Sequence, residues 1–324
     1  MDRRRFISTV AYGALAGPLI ARAQTATRVR RLGWFGMDAP PSAVERQQQY
    51  AALRELGWIV GQNLLIEQRY GSAELLARAA KEFVRLKVDL IVADGTVAAL
   101  AAKNATTTIP ILMWSADPVG AGVVTSLARP GGNITGSALL TVEIDVKRLS
   151  LLRELLPTTQ RVGELINSTN PYFRDAPKRL EEAYRSLGMQ QIIVDLARAA
   201  TLEDAIAEVD RQRGQALHVP YDVLIGDDTF ARIMRAALKY ALPTIVEGEE
   251  LLEAGGLLSY DYNMAELQHR NAAFIDRILR GAKPSDLPIE QPTKFDLMIN
   301  LRTAKALGIT IPKSLLLRAD KVIQ

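Results

Sequence analysis

From Arg31 onward the chain alternates short apolar runs with helix-length amphipathic segments, and this alternation starts twice. In the first round, strands are predicted at residues 31–35, 64–69, 89–93 and 109–114. Helices fall between them at 44–56, 73–85 and 97–105. A turn cluster, Arg129-Pro130-Gly131-Gly132-Asn133, follows, and the pattern then restarts. In the second round, helices are predicted at 143–155, 177–187, 202–213 and 229–240, and strands at 161–166, 191–195, 216–219 and 244–246. An apolar run at 257–260 and a helix at 265–280 close it. Gly57, Gly188 and Gly214 stand where helices should stop, and Gly281, Pro284, Pro288 and Pro292 punctuate a return segment. Strand–helix alternation predicts an α/β fold, with parallel sheets covered by helices on both faces. At 324 residues the chain exceeds what one core readily serves, so two lobes are expected. Their boundaries are placed at 30–136 with a helix near 263–282, and at 137–262 with the segment 286–324.

The first 23 residues set the expected location. Arg3, Arg4 and Arg5 precede Phe6, a mildly apolar stretch follows, and Ala21-Arg22-Ala23 comes just before Gln24. A basic start, an apolar stretch too short to span a bilayer and a small-x-small ending describe an export leader covering 1–23. The paired arginines before Phe6 are similar to a bacterial twin-arginine signal. The leader carries four arginines against Asp2, so most of the formal charge of +4 lies there, and the remainder is nearly neutral. A nearly neutral body argues against nucleic acid as a partner. There is no cysteine, which removes disulfides, thiol nucleophiles, cysteine-type zinc sites and the lipid attachment point of a bacterial lipoprotein. The expectation is a freely diffusing periplasmic monomer.

Catalytic patterns are scarce. His218 and His269 are the only histidines and match no metal-binding spacing. His218 lies in an apolar run and reads as a packed core residue, while His269 reads as solvated on an amphipathic helix. No G-x-S-x-G elbow, Walker A loop or G-x-G-x-x-G fingerprint occurs. No metal and no cofactor is expected.

Polar residues recur just after the predicted strands: Gly36-Met37-Asp38, Asp94-Gly95-Thr96, Ser115-Ala116-Asp117, Asn167-Ser168-Thr169-Asn170, Tyr221-Asp222, Glu247-Gly248 and Tyr260-Asp261-Tyr262. Ligands of open parallel sheets bind outside the carboxyl ends of strands, so these loops should face one crevice. Taken singly, Thr96, Asp117 and Ser168 also read as helix N-caps. Taken together, with Tyr172, Tyr221 and Tyr260 among them, they suggest a ligand cleft.

The stretch IPILMWSADPVGAGVVTSLARPGGNITG at 109–136 resembles the ABC-transporter substrate-binding family that includes tryptophan-type binding proteins. ALAAKNATTTIP at 99–110, GGLLSY at 255–260 and QPTKFDLMINLRTAKALG at 291–308 extend the resemblance. It implies a type I periplasmic-binding-protein fold: two Rossmann-like lobes with parallel sheets, joined by crossover strands and closing on a small molecule. It implies no catalysis, and a membrane ABC permease as partner. Carried onto this chain, the family's cleft loops point to Gly95, Thr96, Ser115 and Asp117 on the first lobe. On the second they point to Asn167, Asn170, Asp222 and Glu247, with Tyr260 near the crossover. Two other readings stand beside it. One is an exported enzyme using Asp117, Asp222 and Glu247 as acid–base groups, and the other is a ligand-sensing module without transport.

Overall fold

A computed structural model describes residues 28–37, 43–139, 141–169, 173, 176–220, 222, 225 and 227–324. The export-leader expectation at 1–23 lies outside the described residues, as do Asn170, Tyr172 and Tyr221.

Alternating side chains build the first sheet. Along β1 (Arg30–Gly36), Leu32 and Trp34 point to one face and Phe35 to the other. That period of two is what an extended strand imposes, and both faces are apolar because both are covered. β1 pairs in parallel with β2 (Leu64–Tyr70) and β3 (Leu90–Asp94). β4 (Ile111–Ser115) and β5 (Ile134–Ala138) complete the order β2-β1-β3-β4-β5. α1 (Ala43–Glu55) lies on the Trp34 face. α2 (Ala73–Leu86) and α3 (Thr96–Ala105) lie on the Phe35 face. β5 sits beyond the turn cluster and pairs with β4 in the first sheet, two residues past the expected lobe boundary at 136. Gly136 explains the close fit: its φ is +143°, and a Cβ there would run into the Met113 carbonyl.

The second sheet repeats the plan. Its parallel strands are β6 (Arg161–Ile166), β7 (Gln190–Asp195), β8 (Ala216–Val219), β9 (Thr244–Val246) and β10 (Leu258–Tyr262). α4 (Thr141–Leu155) and α5 (Ala176–Ser186) cover one face. α6 (Leu202–Arg211), α7 (Asp227–Lys239) and the short α8 (Gly248–Glu253) cover the other.

The C-terminal region leaves the second sheet and comes back to it past its prolines. α9 (Met264–Leu279) leaves β10 and packs beside α1 on the first sheet, where Phe274, Ile275 and Ile278 join the Trp34 core. The chain then hydrogen-bonds along β5: Glu290 N donates to Gly136 O at 2.9 Å, and Ala138 N donates to Glu290 O at 2.9 Å. It returns to the second sheet as β11 (Phe295–Asn300), antiparallel to β10, followed by α10 (Leu301–Ala306), α11 (Lys313–Leu316) and β12 (Lys321–Ile323). The sheet order is β12-β11-β10-β9-β8-β6-β7. The backbone therefore runs between the sheets after Leu139, at Asn263 and at 290–295. The last two passages are tied together, with Asn263 N donating to Lys294 O at 2.9 Å and Asn263 Nδ2 to Asp296 Oδ2 at 2.6 Å.

Candidate ligand cleft

Each parallel strand ends on the side from which the chain crosses to the other sheet, so the loops after β3, β4, β9 and β10 lie along the carboxyl edges. Charges from both edges bear on Tyr262. Burial, then the charges of Asp261 and Glu247, push its phenol well above its ordinary pKa, and Asp94 at the end of β3 adds to the effect. Asp94 in turn accepts from Trp114 Nε1 on β4.

On the first sheet the structure brings Gly95, Thr96 and Ser115 together. Gly95 is the N-cap of α3 with φ +87°, a left-handed value that suits glycine, and it places no side chain over the helix start. Thr96 opens α3, but its hydroxyl does not cap the helix. Its Oγ1 pairs with Ser115 Oγ at 2.7 Å, and Ser115 is fully buried at the end of β4. Two hydroxyls beside a helix N-terminus can hold a carboxylate or another acceptor. Asp117 behaves differently: it is exposed, and its Oδ1 accepts from Gly120 N at 2.8 Å, so its carboxylate shapes its own turn.

On the second sheet Asn167 also folds back locally, with its Oδ1 accepting from Thr169 N at 3.2 Å and Thr169 Oγ1 at 2.6 Å. Asp222 is buried beyond β8. Glu247 occupies the N-cap position of α8 with extended backbone and makes no capping bond from its side chain. Instead its Oε2 lies 3.4 Å from Arg148 Nη1. Tyr260 stacks its ring on Phe295, with centroids 5.6 Å apart, and its carbonyl accepts from Arg148 Nε at 2.8 Å. Arg148 thus joins two predicted ligand residues from different elements.

Arg148 itself was missed from the sequence, and so was Asp145 beside it. Its guanidinium is fully buried, bonded to Asp145 Oδ1 at 2.7 Å and paired with Asp261 Oδ1 at 3.2 Å. Burial opposes the guanidinium charge, but Glu247, Asp261 and Asp145 together outweigh it and hold the pKa above its ordinary value. Burial likewise works against the Asp145 charge, which His218 and Arg148 more than offset, leaving that carboxyl below its usual range. Asp261 goes the other way: burial first, then the charge of Glu247, pushes it up to about 7 against the pull of Arg148. His218 is the packed core histidine expected, with Nε2 3.4 Å from Asp145 Oδ1. Glu164, its neighbour across the strands, is raised by burial and bonded to Gln191. His269 is exposed, as expected, 3.2 Å from Glu55.

A signal for Arg148 did exist. Asp145, Arg148, Leu152 and Leu155 recur at helical spacing, so two opposite charges three residues apart fall on the buried stripe of α4. An open groove of about 840 Å³ lies elsewhere, at the β7 edge among Ser168, Asp195, Arg198 and Asp204, and touches none of the predicted ligand residues that are described.

A family model described as ABC transporter substrate binding protein matches residues 41–323. The chain belongs to that family. A tyrosine-binding protein from Clostridioides difficile (strain R20291) is 28% identical over 262 residues, which is 80% of this chain and 74% of that protein. The structure of an ABC domain in complex with L-Trp from Streptococcus pneumonia matches with a TM-score of 0.78 at 25% identity, covering 91% of this chain and 99% of that one. A conserved domain protein from Vibrio cholerae reaches 0.81 at 25% identity, over 91% and 100% of the two chains. More distant periplasmic binding proteins share the fold alone, among them a leucine-binding protein at 13% identity and a TM-score of 0.59. The type I periplasmic-binding-protein fold implied by the resemblance is therefore the fold found. As a substrate-binding protein, the chain is a solute receptor for an ABC importer, with a small-molecule ligand and a membrane permease as its partners. No described helix is long and apolar enough to cross a membrane.

Proposed function

We propose that this substrate-binding protein captures an amino acid or a related aromatic solute between its two sheets and delivers it to its permease. The observation that carries the reading is the contrast between the two carboxyl edges. The first offers the Thr96–Ser115 hydroxyl pair beside the open start of α3, which suits a ligand carboxylate. The second offers Glu247, a carboxylate held by Arg148 and used for no cap, which suits an ammonium group. Gly95, Asp117, Asn167, Asn170 and Asp222 complete the lining in this reading, and Tyr260 supplies aromatic surface near the crossover. The tyrosine-binding relative and the L-Trp complex support an α-amino acid with an aromatic side chain.

The moving units in this reading are residues 30–136 with the helix near 263–282, and 137–262 with the C-terminal segment, swinging about the passages between the sheets. Residues 1–23 direct export to the periplasm and are removed. With no cysteine to carry a lipid, the mature protein diffuses there as a monomer.

A thermal-shift screen of L-tyrosine, L-tryptophan, other amino acids, aromatic acids and sugars tests the ligand class. A solute that binds only the folded state adds stability by mass action, about 2.7 kcal/mol at a hundred times its dissociation constant. The bound solute should be recovered chemically unchanged. Stabilisation by sugars alone, or turnover of the solute, would refute the reading.

A further inference from the structure

Four charged side chains stand under the cleft loops of the second sheet with little access to water: Arg148 is 1% exposed, Asp261 8%, Asp145 9% and Glu247 16%. A buried guanidinium needs partners, and Asp145 and Asp261 already supply two from the rigid frame of α4 and β10. The third is different in kind. Glu247 belongs to the loop after β9 and is the most exposed of the three carboxylates. Arg148 also donates to the Tyr260 carbonyl, so one planar fork ties a helix, a strand and a cleft loop at fixed angles.

We propose that Arg148 is a positioning residue of the ligand cleft: it orients the Glu247 carboxylate for a positively charged group of the ligand, and it holds Glu247 and Asp261 on one guanidinium, so that capture of that group at Glu247 releases a proton from Asp261. This inference rests on the reading of Glu247 as a ligand residue. The proton follows from the charges packed together. Asp261 is faced by Arg148 and Asp145 from α4, by Glu247 from the loop before α8, and by Tyr262 on its own strand. His218 on β8 stands behind Asp145, with Glu164 beside it on β6, and Asp94 of the first sheet lies beyond Tyr262. Near neutral pH Asp261 is partly protonated, in part because Glu247 is negative. A ligand cation at Glu247 cancels that influence, Asp261 ionises, and its proton passes to solvent.

Calorimetric titration at pH 7 in phosphate and in Tris, whose ionisation enthalpies differ, reads the proton directly. With L-tyrosine and L-tryptophan as probes, the parent should release a fraction of a proton per ligand, and Asp261→Asn none. Arg148→Met should lose tenfold or more in affinity, and Arg148→Lys, which keeps the charge, should recover part of it. Glu247→Gln should weaken both amino acids about tenfold or more while leaving 3-(4-hydroxyphenyl)propionate, which lacks the ammonium, unaffected. Equal heats in the two buffers for the parent, or parental affinity in Arg148→Met, would overturn the proposal. A ligand-free arm covers variants that fold poorly: the NMR titration midpoint of the Asp261 carboxyl should fall in Glu247→Gln. An unmoved midpoint overturns the proton release whether or not either amino acid binds. If neither binds the parent, the amino-acid reading falls, and the carboxyl titration still decides whether Glu247 governs Asp261.

Discussion

Replacing Asp261 with asparagine should make stability less dependent on pH, and the size of the effect follows from the charges around this residue. The carboxyl moves from an ordinary value of 3.8 to about 7 in the folded protein, by burial first and the Glu247 charge second. A carboxyl raised on folding holds its proton more tightly in the folded state than in the unfolded chain. Its stabilising contribution is thus complete below about pH 4, falls as pH rises towards 7, and levels off above. Between pH 5 and pH 8 this amounts to a loss of about 2–3 kcal/mol. Asparagine cannot ionise, and its Oδ1 can still face Arg148, so Asp261→Asn lacks this loss. Glu164 shifts in the same direction but is present in both proteins and cancels in the difference. Asp145 is lowered on folding, so its contribution is lost only as pH falls below the ordinary aspartate range, outside the window. Urea unfolding of parent and variant at pH 5, 6, 7 and 8 gives the comparison, with unchanged m-values as the control. The variant's stability relative to the parent should rise steadily up to pH 7 and then flatten. A difference that is the same at pH 5 and pH 8 would mean that Asp261 is not held protonated by its neighbours.

Other consequences can be checked separately. Gly136→Ala puts a Cβ against the Met113 carbonyl at φ +143°, so it should cost about 3 kcal/mol or more, or prevent folding, as measured by chemical denaturation. Asn263→Ala removes both the α9 cap to Glu266 N and the bond to Asp296 between neighbouring passages. A loss of about 1–2 kcal/mol is expected in the same assay, and no change would deny those bonds any energetic role. Small-angle scattering should show a smaller radius of gyration when a stabilising solute saturates the protein, because lobes joined by a few strands close as hinged bodies. An unchanged profile would count against closure.

The fold could be read because its cause is repetitive. Apolar runs such as 161–166, 216–219 and 244–246 coincide with β6, β8 and β9 to the residue, since a strand buried on both faces needs little but apolar side chains. The places where the reading fell short are those where the cause is distant. β5 contains Thr135, Gly136 and Ser137, too polar and too flexible to show that the first lobe runs to Ala138 and not only to residue 136. Its burial comes from β4 on one side and the 287–290 segment on the other. β11 follows three prolines and pairs antiparallel with β10 only because α9 has carried the chain to the first sheet and back. The candidate site divides along the same line. Thr96 and Ser115 were visible because a polar residue after an apolar run is a local signal, and their mutual bond follows from β3 and β4 being neighbours. Asp117 and Asn167 carry the same local signal, yet their side chains close turns of their own, which strand-end position alone cannot distinguish. Arg148 lies outside any strand-end loop. Its partners come from residues 145, 247, 260 and 261, and no local pattern in α4 says that the buried stripe will meet a carboxylate a hundred residues later. What α4 does show is a charge pair where leucine would be expected. Because a buried charge survives only when paired, that anomaly marks α4 as covering a polar site, and Glu247 and Asp261 are the further partners that the topology delivers.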